Sequence, residues 1–151
     1  MRIAVCSDEP YAVHGVIEAE LARRGHEVVR FGSLASGREE PWADVAERAA
    51  LAVARGECEE GVFLCWTGTG ISMAANKVPG IRAALCGDPG TAAGARVWNH
   101  ANVLCLSNRT LSPDMAKEIL AAWLDTDPGK QGDAGVARLA EVEGRHLRTG
   151  R

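Results

Sequence analysis

The chain lacks the features that would place it at once in several large classes of protein. None of its apolar runs approaches the roughly 18 residues that span a bilayer, and only 5% of its 151 residues are aromatic, which disfavours an all-β sandwich. Its net charge is -3, so the basic surface of a nucleic-acid-binding domain is missing. The short apolar run at the N terminus soon meets Asp8 and Glu9, which argues against a signal peptide. We therefore expect neither a membrane nor a nucleic acid as a partner.

The cysteines lack the spacing of a disulfide framework or of a zinc site. Their number is odd, and no pair has CxxC spacing: they are Cys6, Cys58, Cys65, Cys86 and Cys105. Cysteines of this kind are typical of free thiols in a reducing compartment. We therefore predict a cytoplasmic protein with free thiols and no zinc site.

Hydrophobic residues make up 46% of the chain and charged residues 25%, which indicates one folded domain over residues 1–151. Short apolar runs alternate with segments of helical periodicity. The predicted strands cover residues 3–6, 27–31, 61–65, 81–86 and 102–106, the predicted helices cover 13–24, 42–55, 71–77, 89–98, 113–124 and 133–147, and residues 32–41 are a predicted loop. Apolar strands that alternate with helices predict an α/β fold with a five-stranded parallel sheet covered on both faces.

Ligands of open α/β sheets bind beyond the carboxyl ends of the strands, so the segments 7–10, 66–72 and 87–90 carry the most functional interest. The second contains Gly68-Thr69-Gly70 at a strand-to-helix junction. Glycines there let the backbone approach a ligand, and helix-opening N–H groups favour negative charge. The nucleotide motifs fail, because no lysine follows and Met73 stands where a third glycine is needed. As a bare pattern, the loop is equally compatible with a tight turn.

Cys65 ends the strand that precedes this loop. A thiol beside helix-opening N–H groups has a stabilised thiolate, which suits a general base or a nucleophile. The alternative is a packed core cysteine, which is our interpretation of Cys58 and Cys105. Cys6 and Cys86 also end apolar runs, so it is the adjacent glycine loop that distinguishes Cys65.

Four segments together resemble the ribose-5-phosphate isomerase B / galactose-6-phosphate isomerase family. They are Ser7-Asp8, residues 65–72, residues 74–83, and Asn99 with residues 102–104. The resemblance extends over residues 1–126 and is most specific between Cys65 and Arg82. It implies a Rossmann-like three-layer α/β/α sandwich and a homodimer with active sites at the interface (which could pair into a tetramer). It also implies aldose–ketose isomerisation of a sugar phosphate with neither a metal nor another cofactor. The C-terminal helix at 133–147 is then expected to pack on the dimer partner.

The resemblance also implies a role for each matching residue. In such an isomerase a base removes a proton next to the carbonyl, and the resulting enediolate needs preorganised donors. The base maps to Cys65 and the adjacent hydroxyl to Thr67. The amides from Gly68 through Gly70 to Ser72 would hold the developing oxyanion.

Three further positions correspond to substrate contacts in the family. Asp8 and Asn99 match residues that contact the sugar hydroxyls. Arg109 falls where the family has an arginine that helps to bind phosphate, the alternative being a solvated loop cation. These correspondences extend the predicted site to the segments after the first and fifth strands.

The chain departs from the family at several of the expected site positions. Glu9 stands where the family has a phosphate-binding histidine, and a carboxylate there would repel a phosphate dianion. Trp98 stands where the family has the histidine that opens the furanose ring. Trp66 replaces a glycine, where it would narrow the pocket, stack on a ligand or pack at the dimer contact. His100, two positions beyond Trp98, is interpreted as a surface histidine at a helix end.

Two segments differ more widely. Pro41-Trp42-Ala43 corresponds to the family's Asp-Tyr-Pro beside the site. The C-terminal arginines that bind phosphate across the family's dimer have no clear match in residues 129–135. Three later arginines either substitute for them or belong to a solvated helix face: Arg138, Arg145 and Arg148.

We therefore predict an aldose–ketose isomerase whose substrate range differs from ribose 5-phosphate. Without the ring-opening histidine, the best substrate is already acyclic, as a tetrulose phosphate is, or opens unaided. An unphosphorylated 2-hydroxycarbonyl compound is also compatible, in a pocket lined by Trp42, Trp66 and Trp98. Two alternatives stay open: a non-catalytic sugar-phosphate-binding homologue, and an epimerase or lyase that uses the same enediolate chemistry.

Overall fold

The computed structural model describes residues 1–147. The elements, in chain order, are β1 (Arg2–Ser7), α1 (Val13–Arg23), β2 (Glu27–Gly32), α2 (Ser33–Ser36), α3 (Trp42–Ala54), β3 (Glu60–Cys65), α4 (Thr69–Ala75), β4 (Ala83–Leu85), α5 (Pro89–Asn99), β5 (Val103–Ser107), α6 (Pro113–Asp125) and α7 (Asp133–His146). All five strands lie in one parallel sheet with the order β2-β1-β3-β5-β4. The predicted α/β fold with a five-stranded parallel sheet is confirmed.

The alternation of side chains along each strand divides the core into two layers. Ile3 and Val5 of β1 point to a cluster that includes residues of α1, α5 and α6. Ala4 and Cys6 point to the opposite cluster, which includes residues of α3 and α4. Because both faces of the sheet are buried, its central strands are apolar between their end residues, as the sequence predicted. The result is the three-layer α/β/α sandwich.

The sequence missed one element and misplaced the ends of others. The predicted loop at 32–41 contains the short helix α2, which begins after Gly32 and ends before Gly37. Gly32 has a φ of 64°, and a Cβ there would lie 2.4 Å from the carbonyl oxygen of Ser7. This close approach forces a sharp turn that local sequence does not reveal. The strand β4 is also shorter than predicted, because the amide of Ile81 bonds the carbonyl of Val78 in a turn instead of entering the sheet.

A buried polar cluster lies at the amino-terminal edge of the sheet. Trp123 is 1% exposed, and its indole N–H donates to Glu60 at 2.7 Å. The guanidinium of Arg96 contacts the other Glu60 oxygen at 2.7 Å and lies 4.9 Å from the Trp123 ring centroid. These three side chains join α5 and α6 to the first residue of β3, at the edge opposite Cys65.

Candidate active site

Three loops meet at the carboxyl edge of the sheet, beyond the neighbouring strands β1, β3 and β5. The amide of Asn108 donates to the carbonyl of Cys65 at 2.9 Å, and the amide of Arg109 donates to the carbonyl of Trp66 at 3.1 Å. The Ser107 hydroxyl donates to the same Trp66 carbonyl at 3.0 Å. The loop after β5 therefore holds the backbone of the loop that follows Cys65.

Cys65 ends β3, and Thr67 lies on the loop that follows it, here called the central loop. The two side chains differ in their exposure to solvent. The Cys65 side chain belongs to the core layer of α3 and α4 and is only 5% exposed. Thr67 is exposed, and its hydroxyl oxygen lies 2.6 Å from that of Thr69. A base at Cys65 would thus work at the boundary between the core and the loop, with a hydroxyl two residues away.

The glycine loop is a tight turn into α4. Gly68 has a φ of 77°, and the Ser72 amide donates to its carbonyl at 3.3 Å. The Ser72 hydroxyl donates to the carbonyl of Thr69 at 2.9 Å. The first amides of a helix have no intrahelical partner, so α4 leaves free the amides of Thr69, Gly70 and Ile71, which precede the first bond, from Ser72. The ring of Trp42 packs on this turn, 3.1 Å from where a Gly70 Cβ would lie.

The replacement Gly68→Ala is expected to destabilise the protein. A Cβ at this position would lie 2.5 Å from a Leu85 methyl and 3.0 Å from the Leu106 backbone, and the left-handed backbone alone costs about 1–3 kcal/mol. Urea unfolding measures the loss. Gly87→Ala is the matched control, because a Cβ there meets nothing within 4 Å; equal losses in the two variants would contradict this account.

The loop after β1 carries Asp8 and Glu9, both partly buried. One carboxylate oxygen of Asp8 is buried without a hydrogen-bond partner. Burial raises the pKa of Asp8, and the charge of Glu9 adds to that rise. The Tyr11 hydroxyl donates to Glu9 at 2.6 Å, and this bond is the main cause that raises the pKa of Tyr11 to about 12. Because the Tyr11 hydroxyl stays protonated at neutral pH, it remains a hydrogen-bond donor to the Glu9 carboxylate.

Tyr11 also contacts the loop after β3. Its ring stacks on Trp66 with centroids 5.8 Å apart and an interplanar angle of 27°. Trp66 is 51% exposed, so its outer face stays open to solvent. Tyr11 was not among the predicted site residues, because an aromatic residue three positions beyond Asp8 carries no local signal of this contact.

A buried chain of hydrogen bonds supports the same loops. The Tyr11 amide donates to Nδ1 of His14 at 3.3 Å, so Nε2 carries the proton and donates to Asn108 at 2.8 Å. Asn108 donates in turn to the Ser7 hydroxyl at 3.2 Å, which donates to the Glu9 carbonyl at 2.9 Å. Burial lowers the pKa of His14, in keeping with this neutral tautomer. His14 and Asn108 were also missed; a polar residue on an apolar helix face was the one available signal for His14.

A cleft of about 290 Å³ opens on the β5 side of the central loop. Arg109 is exposed and lines it together with Thr67, so the structure brings these two predicted site residues together. The remaining lining residues are Leu85, Cys86, Gly87, Ser107, Thr110, Leu111 and Met115. Burial raises the pKa of Cys86 to about 11, so this thiol is protonated at neutral pH.

Trp98 and Asn99 lie at the opposite edge of the sheet. They end α5, and the chain then enters the amino-terminal end of β5, whereas Cys65 is at the carboxyl end of β3. Trp98 is 62% exposed, and Asn99 lines a groove of about 670 Å³ beside α7. One chain alone therefore does not bring these two predicted residues to Cys65.

The neighbouring C-terminal helix contacts its own chain. Glu143 of α7 accepts a hydrogen bond from the amide of Gly80 at 3.1 Å, and His100 lies 3.6 Å from Asp133. Arg138 is paired with Glu141 at 2.6 Å, and Arg145 is exposed, while Arg148 lies outside the described residues. The packing of this helix on a second chain stays a prediction.

Residues 1–147 contain neither a membrane-spanning helix nor a cluster of metal ligands. None of the helices in this range is long and apolar enough to cross a membrane. The same range contains no group of three or more His, Cys, Asp or Glu side chains arranged to hold a metal ion.

The parallel sheet, with a glycine turn and polar loops beyond the carboxyl ends of its strands, defines a ligand-binding protein of the doubly wound α/β class. Within that class the family model for ribose/galactose isomerases matches residues 3–142, and the chain belongs to this family. It is 41% identical to ribose-5-phosphate isomerase B of Escherichia coli over 93% of this chain and 94% of the relative. It is 41% identical to D-erythrulose-4-phosphate isomerase of Pectobacterium atrosepticum over 71% of this chain and 70% of the relative.

Solved structures agree with this assignment. Ribose-5-phosphate isomerase B of Clostridium thermocellum superposes with a TM-score of 0.88 at 37% identity, covering 97% of this chain and 99% of the other. The family resemblance deduced from the sequence motifs is therefore confirmed. The chain is a member of a sugar-phosphate isomerase family.

Proposed function

We propose that this chain is an aldose–ketose isomerase that acts through an enediolate on a sugar phosphate or a related 2-hydroxycarbonyl compound. The observation that carries the proposal is the position of Cys65 at the end of β3, with Thr67 and the glycine turn directly after it, in a chain that belongs to this family. A protein that only bound sugars would have no need of a thiol beside a hydroxyl and a set of free amides.

In the proposed reaction the Cys65 thiolate removes the proton from the hydroxyl-bearing carbon next to the carbonyl. The electron pair of the broken C–H bond forms the carbon–carbon double bond of the enediolate, and the carbonyl electrons move onto oxygen. The thiol then returns a proton to the former carbonyl carbon, while a proton moves between the two oxygens by way of the Thr67 hydroxyl. No outside oxidant or reductant is consumed.

The negative charge of the enediolate needs donors that are already in position. The amides of Thr69 and Gly70 support this role because α4 leaves them free. Asp8, with one buried oxygen that has no partner, is proposed to accept a hydrogen bond from a substrate hydroxyl.

We further propose that the functional form is a homodimer. The distance in the fold between α5 and Cys65 supports this, because Trp98 and Asn99 can take part only if they approach the Cys65 loop of a second copy. The exposed Trp98 ring would then be covered. Sedimentation at micromolar concentration tests this, and a monomer would contradict it.

Solvent exchange tests the proposed chemistry. The enzyme is incubated in deuterated water with tetroses, pentoses and their terminal phosphates, and we expect deuterium at the carbon next to the carbonyl together with interconversion of aldose and ketose. Exchange without interconversion would indicate an epimerase or lyase. Stabilisation against heat by a sugar phosphate, without exchange of any compound, would instead support the non-catalytic homologue.

A further inference from the structure

One residue connects the ends of the three central strands. The side-chain amide of Asn108, directly after β5, donates to the Ser7 hydroxyl at the end of β1 at 3.2 Å. Its backbone amide donates to the carbonyl of Cys65, which ends β3, at 2.9 Å. Since β3 lies between β1 and β5 and neighbouring strands are about 4.8 Å apart, the Asn108 side chain bridges two strands that are not neighbours. The bridge crosses the end of the strand that carries the proposed base.

The loop that carries Asp8 is anchored at two points. The Ser7 hydroxyl donates to the carbonyl of Glu9 at 2.9 Å. The amide of Tyr11 donates to Nδ1 of His14 at 3.3 Å. Both anchoring side chains bond the same carboxamide after β5, so one group fixes the loop at both points.

The side chains of Ser7, His14 and Asn108, here called the buried network, are 0%, 6% and 8% exposed. Each of their side-chain nitrogens and oxygens has a hydrogen-bond partner. Apolar side chains of the same shape would fill this space with little loss of stability, so packing alone does not explain a polar network here. A buried network whose bonds are all satisfied also holds its members in one arrangement.

The buried network lies on the opposite face of the sheet from the proposed base. His14 is on α1, and Ser7 continues the alternation of Ile3 and Val5, which belong to the core layer of α1. The Cys65 side chain belongs to the layer of α3 and α4. The network therefore acts on the backbone of the two loops and not on the thiol itself.

We propose that Asn108 and His14 are positioning residues of this site, which fix Asp8 in place relative to Cys65. The inference rests on the proposed function, in which Cys65 and Asp8 act on the same sugar molecule. Misplacement of reacting groups by about 1 Å costs about a hundredfold in rate. The anchored loop keeps the two groups at a fixed separation.

Asn108→Ala removes both side-chain bonds but keeps the backbone bond to Cys65. The substrate is ribose 5-phosphate or D-erythrulose 4-phosphate, for which relatives are named, whichever the wild type converts faster. We expect kcat to fall by about tenfold to a hundredfold, and KM to change by less than about threefold. His14→Leu should lower kcat similarly, since it leaves Tyr11 and Asn108 without a partner. His14→Gln restores a donor to Asn108 and should recover at least about threefold of that loss.

Trp123→Phe is the matched control. It deletes another buried hydrogen bond, from the indole N–H to Glu60 at 2.7 Å, at the opposite edge of the sheet. It should lower the unfolding free energy as Asn108→Ala does, yet keep kcat within about twofold of the wild type.

Amide hydrogen exchange followed by NMR tests the anchoring without any turnover. In Asn108→Ala the His14 ring loses its acceptor, so the Tyr11 amide that bonds this ring should exchange at least about tenfold faster than in the wild type. In Trp123→Phe the same amide should stay within about twofold of the wild type.

The outcomes separate this inference from the proposed function. Wild-type kcat and wild-type Tyr11 exchange in Asn108→Ala would overturn the inference, and so would an equal loss of kcat in Trp123→Phe, which would point to general destabilisation. A loss confined to KM would also overturn it, because the network would then serve binding alone. If the wild type converts neither sugar, but Tyr11 exchange rises in the Asn108 and His14 variants and not in the control, the positioning is supported and only the proposed chemistry fails.

Discussion

Cys65→Ala is expected to lower both isomerisation and solvent exchange by about a hundredfold to ten-thousandfold, the range for loss of a general base. Proton removal next to a carbonyl is the first step of the proposed reaction, and Cys65 is the residue to which we assign that step. The measurement is kcat for interconversion, together with deuterium incorporation, on whichever sugar the wild type converts best. KM should change little, because the thiol acts on the reacting carbon and not on the rest of the sugar.

The control for this variant is Cys105→Ala. Cys105 is fully buried in the same core layer as Cys65 and pairs with Phe63 of β3 in the sheet, so its removal also deletes a core sulfur. Each variant is expected to lose about 1 kcal/mol of unfolding free energy, but only Cys65→Ala should lose activity. Undiminished exchange in Cys65→Ala would show that another group is the base, and equal loss of activity in both variants would point to damaged packing instead.

The fold was accessible from the sequence because its main determinants are local. Apolar runs alternate with helical periodicity, and each run is long enough for one buried strand. Helix α2 was missed because it depends on the contact between Gly32 and the Ser7 carbonyl, two residues that the sheet brings together. Local patterns do not encode such a contact.

The candidate site likewise contains residues that a local motif identifies and residues that only the fold brings together. Cys65, Thr67 and the glycine turn are contiguous in sequence, so a motif could identify them. The bond between His14 and Asn108 joins residues 94 positions apart, and the Tyr11–Trp66 stack likewise joins separate loops. The separation of Asn99 from Cys65, in contrast, was open to prediction: a helix that leads into a parallel strand must end at the amino edge of the sheet.

Arg96→Leu is expected to reduce the unfolding free energy by about 3–5 kcal/mol, because it leaves the Glu60 carboxylate buried without its cation. The side chains of Arg96 and Glu60 are only 14% and 10% exposed, so water cannot replace the lost partner. Arg96 also donates to the carbonyl of Ala101 at 2.6 Å, and that bond is lost as well. Since domains are stable by only about 5–15 kcal/mol, the loss should be plain in urea unfolding.

Two further variants establish that the buried charge is the cause. Arg138→Leu removes an arginine that contacts Glu141 at the same close range, 2.6 Å, but with both side chains at least 60% exposed; it should cost less than about 1 kcal/mol. The double variant Arg96→Leu with Glu60→Gln should recover most of the loss, because no unpaired charge then remains in the core, while the amide oxygen can still accept the hydrogen bond from Trp123. If the double variant is as unstable as Arg96→Leu alone, the arginine stabilises the fold through its packing on Trp123 and its bond to Ala101, and not through its charge.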